Sequence, residues 1–276
     1  PPQRVVAVWQ NSIETLLALG VGERIVVGMG VPDARYIRPE YRAAYEAIPY
    51  TSLENLDVET ILMMQPDLIV GWASTFSPKV LRGTSFWAGR GVHTYIAPSS
   101  ARAVRTKTIA QECEDIRNLG RIFGREERAN ALVGEMEHEI AFVAEKTAGM
   151  EPRPRALVIE LMGKEIRSYG ADTLAGDMMR ALGAEHLAAD GQSLSMEEII
   201  TLDPDAIFLI VIEDNYGNED AIRARITENP ALRSLSCVRE NRVYTVPLYA
   251  VYSAGIRTYD GITIFAHGLY PEIYGE

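Results

Sequence analysis

The chain has 276 residues, 47% of them hydrophobic, enough to bury one large core or two domain-sized ones. Its formal net charge of −11 argues against a general nucleic-acid binder, which needs basic surface to meet phosphates. No apolar run reaches the roughly 18 residues of a membrane-spanning helix, and the start at Pro1-Pro2, with no Met, fits a chain whose targeting segment has been removed.

Val5 to Trp9 is a short apolar run, and Asn11 or Ser12 can cap the helix that follows, with Ile13, Leu16, Leu17 and Leu19 as its apolar stripe. Gly20 ends that helix and Ile25-Val26-Val27 is the next strand. A helix over 56–64 feeds a strand over 68–70, and Val92 to Ile96 is a further strand. Strands this uniformly apolar predict a mostly parallel sheet covered on both faces. Residues 106–148 lack proline, carry many Glu and Arg, and repeat apolar positions at helical spacing from Ile109 to Val143. They predict one long helical segment with a solvated Glu/Arg face, bent or interrupted at Gly120 or Gly124. The sequence EPRPR at 151–155 stops it.

A second α/β pattern follows: a strand from Ala156 to Leu161, a helix from Thr173 to Leu182 ended by Gly183, a helix over 196–202, a strand over 206–212, a strand from Val243 to Val246 and a closing helix from Gly255 to Leu269. The expected architecture is α/β, with two Rossmann-like lobes of mostly parallel strands joined by a long backbone α-helix. Its parts are an N-terminal lobe over 1–105, a bridging helical segment over 106–150 and a C-terminal lobe over 151–276, whose closing helix has the option of packing back toward the N-terminal lobe. A helical bridge limits hinge bending. A ligand cleft is then expected between the lobes, at loops following the carboxyl ends of strands.

The motifs of common catalysis are missing. His93, His138, His186 and His267 form no HExxH and no zinc-like pair, and there is no GxSxG, GxxxxGK[ST] or helix-opening GxGxxG. GVGERIVVGMGV at 20–31 brackets a strand and does not lead from a strand into a phosphate-facing helix. Cys113 falls in a helical pattern and Cys237 in a loop, without metal-ligand spacing. Aromatic and cationic residues gather instead at expected strand ends: Trp9, Trp72, Arg167 with Tyr169, Tyr216, then Tyr249, Tyr252 and Arg257. Aromatic rings offer flat apolar area, and arginine forks onto anionic oxygens, so the set suits a bulky, partly anionic ligand. Taken singly, each aromatic is as readily explained by packing.

One pattern occurs twice. DVETILMMQPDLIVG at 57–71 and SMEEIITLDPDAIFLI at 195–210 both run from Glu through an apolar-patterned helix into Pro-Asp and a strand, with equal spacing from Glu59 to Pro66 and from Glu197 to Pro204. Together with RVVAVWQNSIETLLALGVGERIVVG, SYGADTLAGDMMRALGAEHLA, ENRVYTVP and YSAGIRTYDGI, in this order and over nearly the full length, the chain resembles the helical-backbone class of ABC-transporter substrate-binding proteins, which serve iron–siderophore, haem and corrinoid uptake.

The resemblance implies a non-enzymatic, monomeric, extracytoplasmic receptor without a cofactor, either periplasmic or lipid-anchored at the cell surface. Its partner is an ABC permease dimer with ATPase subunits, and its membrane contact runs only through that permease or a removed lipid anchor. It implies docking of the permease by Glu59 and Glu197. The competing explanation is that acidic residues simply favour a helix N-terminus, and Glu54, Asp57 and Glu198 are neighbouring candidates. The expected ligand is a ferric siderophore, otherwise haem, for which Tyr169 and Tyr252 are candidate axial ligands, or a corrinoid; a metal oxyanion or another chelate is a further alternative. A metal-cluster redox enzyme and an adhesion protein are the remote alternatives.

Overall fold

Val5–Val8, Leu68–Gly71 and Ala206–Val211 are buried along their whole lengths, as strands covered on both faces must be. They occupy interior places in two separate sheets in a computed structural model, which describes residues 1–54, 56–101, 103–189 and 191–275. The chain divides into two compact units. One comprises Pro1–Arg105, Ala110–Gly134 and Ser253–Ile256; the other comprises Thr106–Ile109, Glu135–Tyr252 and Arg257–Glu276.

The first unit begins with β1 (Val5–Val8), α1 (Gln10–Ala18), β2 (Ile25–Met29), α2 (Arg42–Glu46), β3 (Tyr50–Ser52), α3 (Val58–Met63), β4 (Leu68–Gly71), α4 (Thr84–Ala88) and β5 (His93–Ile96). Its strands are all parallel in the order β3-β2-β1-β4-β5. The order reverses between β1 and β4, so the loops leaving these two strands flank a topological switch point. Val6, Val8, Val27, Ile61, Ile69 and Trp87 belong to one apolar core in this unit.

The segment read as one long helix is two, α5 (Ile109–Phe123) and α6 (Glu126–Lys146). Gly124 stands at φ 64° between them, a left-handed conformation that glycine adopts at no steric cost. The unit boundary at Gly134/Glu135 falls inside α6, so α6 carries the chain from one unit to the other. The acidic residues of α5 are not all on a solvated face. Glu112 and Asp115 are buried, because they lie within a turn of the core residues Cys113, Ile116 and Leu119.

The second unit contains β6 (Arg155–Met162), β7 (Glu165–Ser168), α7 (Leu174–Ala181), β8 (Glu185–His186), β9 (Ser193–Leu194), α8 (Met196–Leu202), β10 (Ala206–Val211), α9 (Glu219–Thr227), α10 (Ser236–Arg239), β11 (Val243–Pro247), α11 (Thr258–Leu269) and α12 (Pro271–Tyr274). Its sheet runs β11-β10-β6-β7-β9, with β7 antiparallel to both neighbours and β8 paired parallel to β6. The closing helix starts at Thr258, after a 3-10 turn over Gly255–Arg257, and packs on α7, β10 and β11 of its own unit. Cys237 belongs to α10 and not to a loop. It and Cys113 are buried thiols without a disulfide, and burial pushes the Cys237 thiol up to about 11.

The duplicated sequence is a duplicated clamp. In α3 the cap Asp57 accepts the Thr60 N–H; in α8 Ser195 and Glu198 form a reciprocal capping box. Both helices leave through a left-handed residue just before the proline, Gln65 at φ 49° and Asp203 at φ 42°. The following aspartates, Asp67 and Asp205, accept backbone N–H groups from Arg4 and Arg155, the residues leading into the neighbouring strands. The guanidinium of Arg4 in turn bonds the carbonyls of Met64 and Gln65, and that of Arg155 bonds those of Leu202 and Asp203. Each arginine thus satisfies the orphan carbonyls at a helix end. Ile61 and Ile199, at matching positions, are both fully buried. The contacts common to both clamps use Ile, Pro, Asp and Arg; the Glu59 side chain reaches its clamp only at the cap Asp57.

Candidate functional site

Trp9 directly follows β1 and caps α1 at φ 74°, ψ 152°, a conformation that costs a non-glycine residue on the order of 1–3 kcal/mol. Its N–H is held by the Met29 carbonyl at 2.7 Å, which fixes the bend out of the strand. Gly30, following β2, makes room for the ring: a Cβ there would stand 2.7 Å from the indole. Trp72 follows β4 and stacks on Trp9 with centroids 5.0 Å apart and planes at 24°. Its indole N–H donates to the Asn11 side-chain oxygen at 2.9 Å. The two indoles thus meet at the switch point of the first sheet. Beside them, among the described residues, the Trp9 Nε1, the Asn11 Nδ2 and the Ser12 Oγ are buried without hydrogen-bond partners. Asn11 and Ser12 lie in a helix whose every residue is buried. Unpaired buried donors are costly and uncommon; the first belongs to the Trp9 ring and the second to the amide that holds Trp72.

In the second unit the structure inserts a hairpin that the sequence did not disclose. Arg167 lies on antiparallel β7 directly across from Glu160 of β6, and Tyr169 follows β7, with its N–H on the Val158 carbonyl. The Tyr169 phenol donates to the buried Glu160 carboxylate at 2.7 Å. Burial and then that bond raise the phenol well above the ordinary tyrosine range, opposed by the Arg167 charge, so Tyr169 keeps its proton. Arg167 is exposed, and Tyr252 is 45% exposed.

The remaining residues make a tighter cluster. Tyr216, after β10, meets Tyr249 edge-on at 5.4 Å. The Arg257 guanidinium lies 4.7 Å from the Tyr249 centroid and ion-pairs with Asp260. Arg257 is only 7% exposed, so its charge is engaged by an acid and a ring within its own unit. Burial, then the charge of Glu213, raises the Tyr216 phenol. Tyr249 also borders an open recess of about 320 Å³ with Tyr259 and Asp260.

The structure joins the sequence-derived residues into three groups: Trp9 with Trp72; Arg167 with Tyr169 and Tyr252, which share an electrostatic neighbourhood; and Tyr216 with Tyr249 and Arg257. Asn11 and Glu160 were not read from the sequence. Glu160 left a trace there as a lone acid inside the apolar run ALVIELM. Glu59 and Glu197 are exposed at the second position of α3 and α8, and among the described residues neither carboxylate meets a basic side chain. Among the described residues no cluster of three or more His, Cys, Asp or Glu could hold a metal ion, and no helix is long and apolar enough to cross a membrane.

Comparison with known proteins identifies the family of the chain. The family model described as periplasmic binding protein matches residues 5–250. The crystal structure of a periplasmic binding protein from Veillonella parvula DSM 2008 is 47% identical, with a TM-score of 0.96 over 99% of this chain and 86% of that one. An uncharacterized ABC transporter substrate-binding lipoprotein of Bacillus subtilis, YvrC, is 24% identical and covers all of this chain and 82% of its own length. The ferric-anguibactin-binding protein FatB of Vibrio anguillarum is 24% identical over 91% of this chain and 76% of its own.

Proposed function

The chain belongs to the periplasmic binding protein family, and on that premise we propose that it captures a ferric siderophore and hands it to an ABC permease. The family consists of extracytoplasmic solute receptors of ABC transport and not of enzymes. The observation that carries the ligand choice is the chemistry of the three residue groups. Stacked indoles and tyrosines supply flat apolar area, and exposed Arg167 supplies a cation for anionic chelating oxygens. Each group is proposed as a set of ligand contacts within its own unit. The similarity to a protein named for binding a ferric chelate supports the same choice.

Haem is the second reading. It is less favoured because an axial tyrosinate must give up its proton, and Tyr169 is held as a phenol donating to Glu160. Tyr252, which is far more exposed, is then the better axial candidate. A corrinoid would need only the aromatic surfaces.

Glu59 and Glu197 are the proposed docking residues. The contacts shared by the two clamps do not involve their carboxylates, and Glu59 meets its clamp only at the cap Asp57, so the repeat of an acid at this position is not explained by the clamp. Two acids on corresponding elements suit basic residues on the two subunits of a permease dimer.

The test is a titration panel of ferric catecholate, hydroxamate and citrate chelates, haem and cobalamin, read by tryptophan fluorescence and calorimetry. Quenching by at least one ferric siderophore, with affinity on the order of micromolar or tighter, is the expected result. Silence toward every siderophore beside clear haem or cobalamin binding would overturn the ligand choice.

A further inference from the structure

Docking by a glutamate alone leaves a second feature of α3 and α8 unexplained. One turn beyond each glutamate, on the same helix face, stands an apolar residue: Leu62 after Glu59 and Ile200 after Glu197. Ile61 and Ile199 fill the fully buried positions; Leu62 packs against the rim of the core and keeps part of its surface open, together with Val80 and Phe86. Ile200 is 36% exposed, and Leu62 lines an open groove of about 540 Å³. That groove has Leu62, Val80 and Phe86 for apolar walls and Asp57 and Glu59 on its acidic side. Lys79, Arg82 and Arg90 give it a basic side; all three are exposed. Arg90 is flattened on Phe86, its guanidinium carbon 3.7 Å from the ring centroid. Among the described residues Lys79 and Arg82 have no ionic partner. The acids of the groove come from the start of α3 and its bases from the 79–90 segment, with Leu62, Val80 and Phe86 as its apolar lining.

We propose that this groove is the seat of a permease segment in which a basic residue meets Glu59 and Asp57, an apolar side chain meets Leu62, Val80 and Phe86, and an acidic residue meets Lys79 and Arg82, with Ile200 as the corresponding apolar anchor beside Glu197. The proposal rests on the docking reading above and adds the partner's chemistry to it. Charge complementarity fixes the direction in which the segment lies, and the apolar strip supplies the desolvated centre that anchors an interface. The shared position of Leu62 and Ile200 makes the anchor a property of both units and not an accident of one groove.

The test places a photo-crosslinking amino acid at position 79, 82 or 59, with position 127 on α6 as control, and illuminates the unloaded protein with the cognate permease–ATPase complex in proteoliposomes. Crosslinks to the permease are expected from 79, 82 and 59 and not from 127. In parallel, Ile200→Asp and the pair Lys79→Glu/Arg82→Glu should each weaken stimulation of the ATPase about tenfold in half-saturating concentration, the loss expected when one interface anchor is spoiled. These positions are on the surface, and melting curves confirm folding. If Glu59→Lys/Glu197→Lys abolishes stimulation while these variants act as native and 79 and 82 give no permease crosslink, the groove proposal falls and the docking reading stands. If the glutamate variants also act as native, the docking reading falls and takes the groove with it. Crosslinking only to a second copy of this chain also overturns the proposal.

Discussion

Replacing Asp115 with Asn should stabilise the protein, by an amount that grows with pH. Asp115 is 1% exposed on α5, with Glu112 buried beside it. Burial first, then the charge of Glu112, push its carboxyl from the ordinary 3.8 up to about 7; the neighbouring Tyr95 phenol acts in the opposite direction and does not offset them. Below the ordinary value, folded and unfolded chains both hold the proton, and nothing is lost. Between 3.8 and about 7 the unfolded chain has released the proton and the folded chain retains it, so stability falls as pH rises. At about 1.36 kcal/mol per pH unit, the full interval bounds the loss at roughly 4 kcal/mol, complete above the folded value. Denaturant unfolding of both proteins across that interval isolates the titration of Asp115 and its coupling to Glu112, because groups remote from Asp115 cancel in the difference. The curves should diverge by up to roughly 1.4 kcal/mol per pH unit and then run parallel. A difference independent of pH would refute the claim that Asp115 enters the fold protonated.

Three further outcomes are expected. Arg167→Ala should weaken an anionic chelate by about 1–3 kcal/mol in calorimetry, with an unchanged melting temperature, since the side chain is exposed. Arg257→Ala should lower stability as well as affinity, because it strands the partly buried Asp260 and uncovers Tyr249; an unchanged unfolding free energy would show that the pair is idle. Arg155→Ala should cost about 1–2 kcal/mol by stripping the Leu202 and Asp203 carbonyls of their donors, and should leave ligand binding intact.

The two-sheet α/β architecture was legible because VVAV, LIVG and AIFLIV are strands buried on both faces, a pattern that few alternatives share. The β6–β7 hairpin was not, since Glu165–Ser168 alternates buried and exposed residues too briefly to stand out. The break at Gly124 was readable as a glycine in a helical pattern, but its left-handed turn depends on the backbone conformation. At the site, the tryptophans were found by their position after strands. Asn11 and Glu160 depend on partners 61 and 9 residues away, and no local pattern carries that information. That Arg257 also pairs with Asp260 was not legible, because Asp260 reads from sequence as an ordinary residue in the first turn of a helix. The Pro-Asp repeat was visible, but its cause was not: Arg4 and Arg155 lie 63 and 50 residues before the aspartates that they meet.

The account turns on the two exposed glutamates at matching positions of the repeat. The most direct measurement is ATP hydrolysis by the cognate permease–ATPase in proteoliposomes, stimulated by ferric-siderophore-loaded native protein and by Glu59→Lys/Glu197→Lys, with siderophore affinity measured alongside. A reversed charge at a matched interface repels as well as failing to attract, and exposed pairs are screened by salt. The double variant should therefore bind the chelate as the native protein does and fail to stimulate hydrolysis, single variants should be milder, and added salt should weaken native stimulation. Full stimulation by the double variant would contradict the account and reduce the repeated glutamate to a helix-start residue.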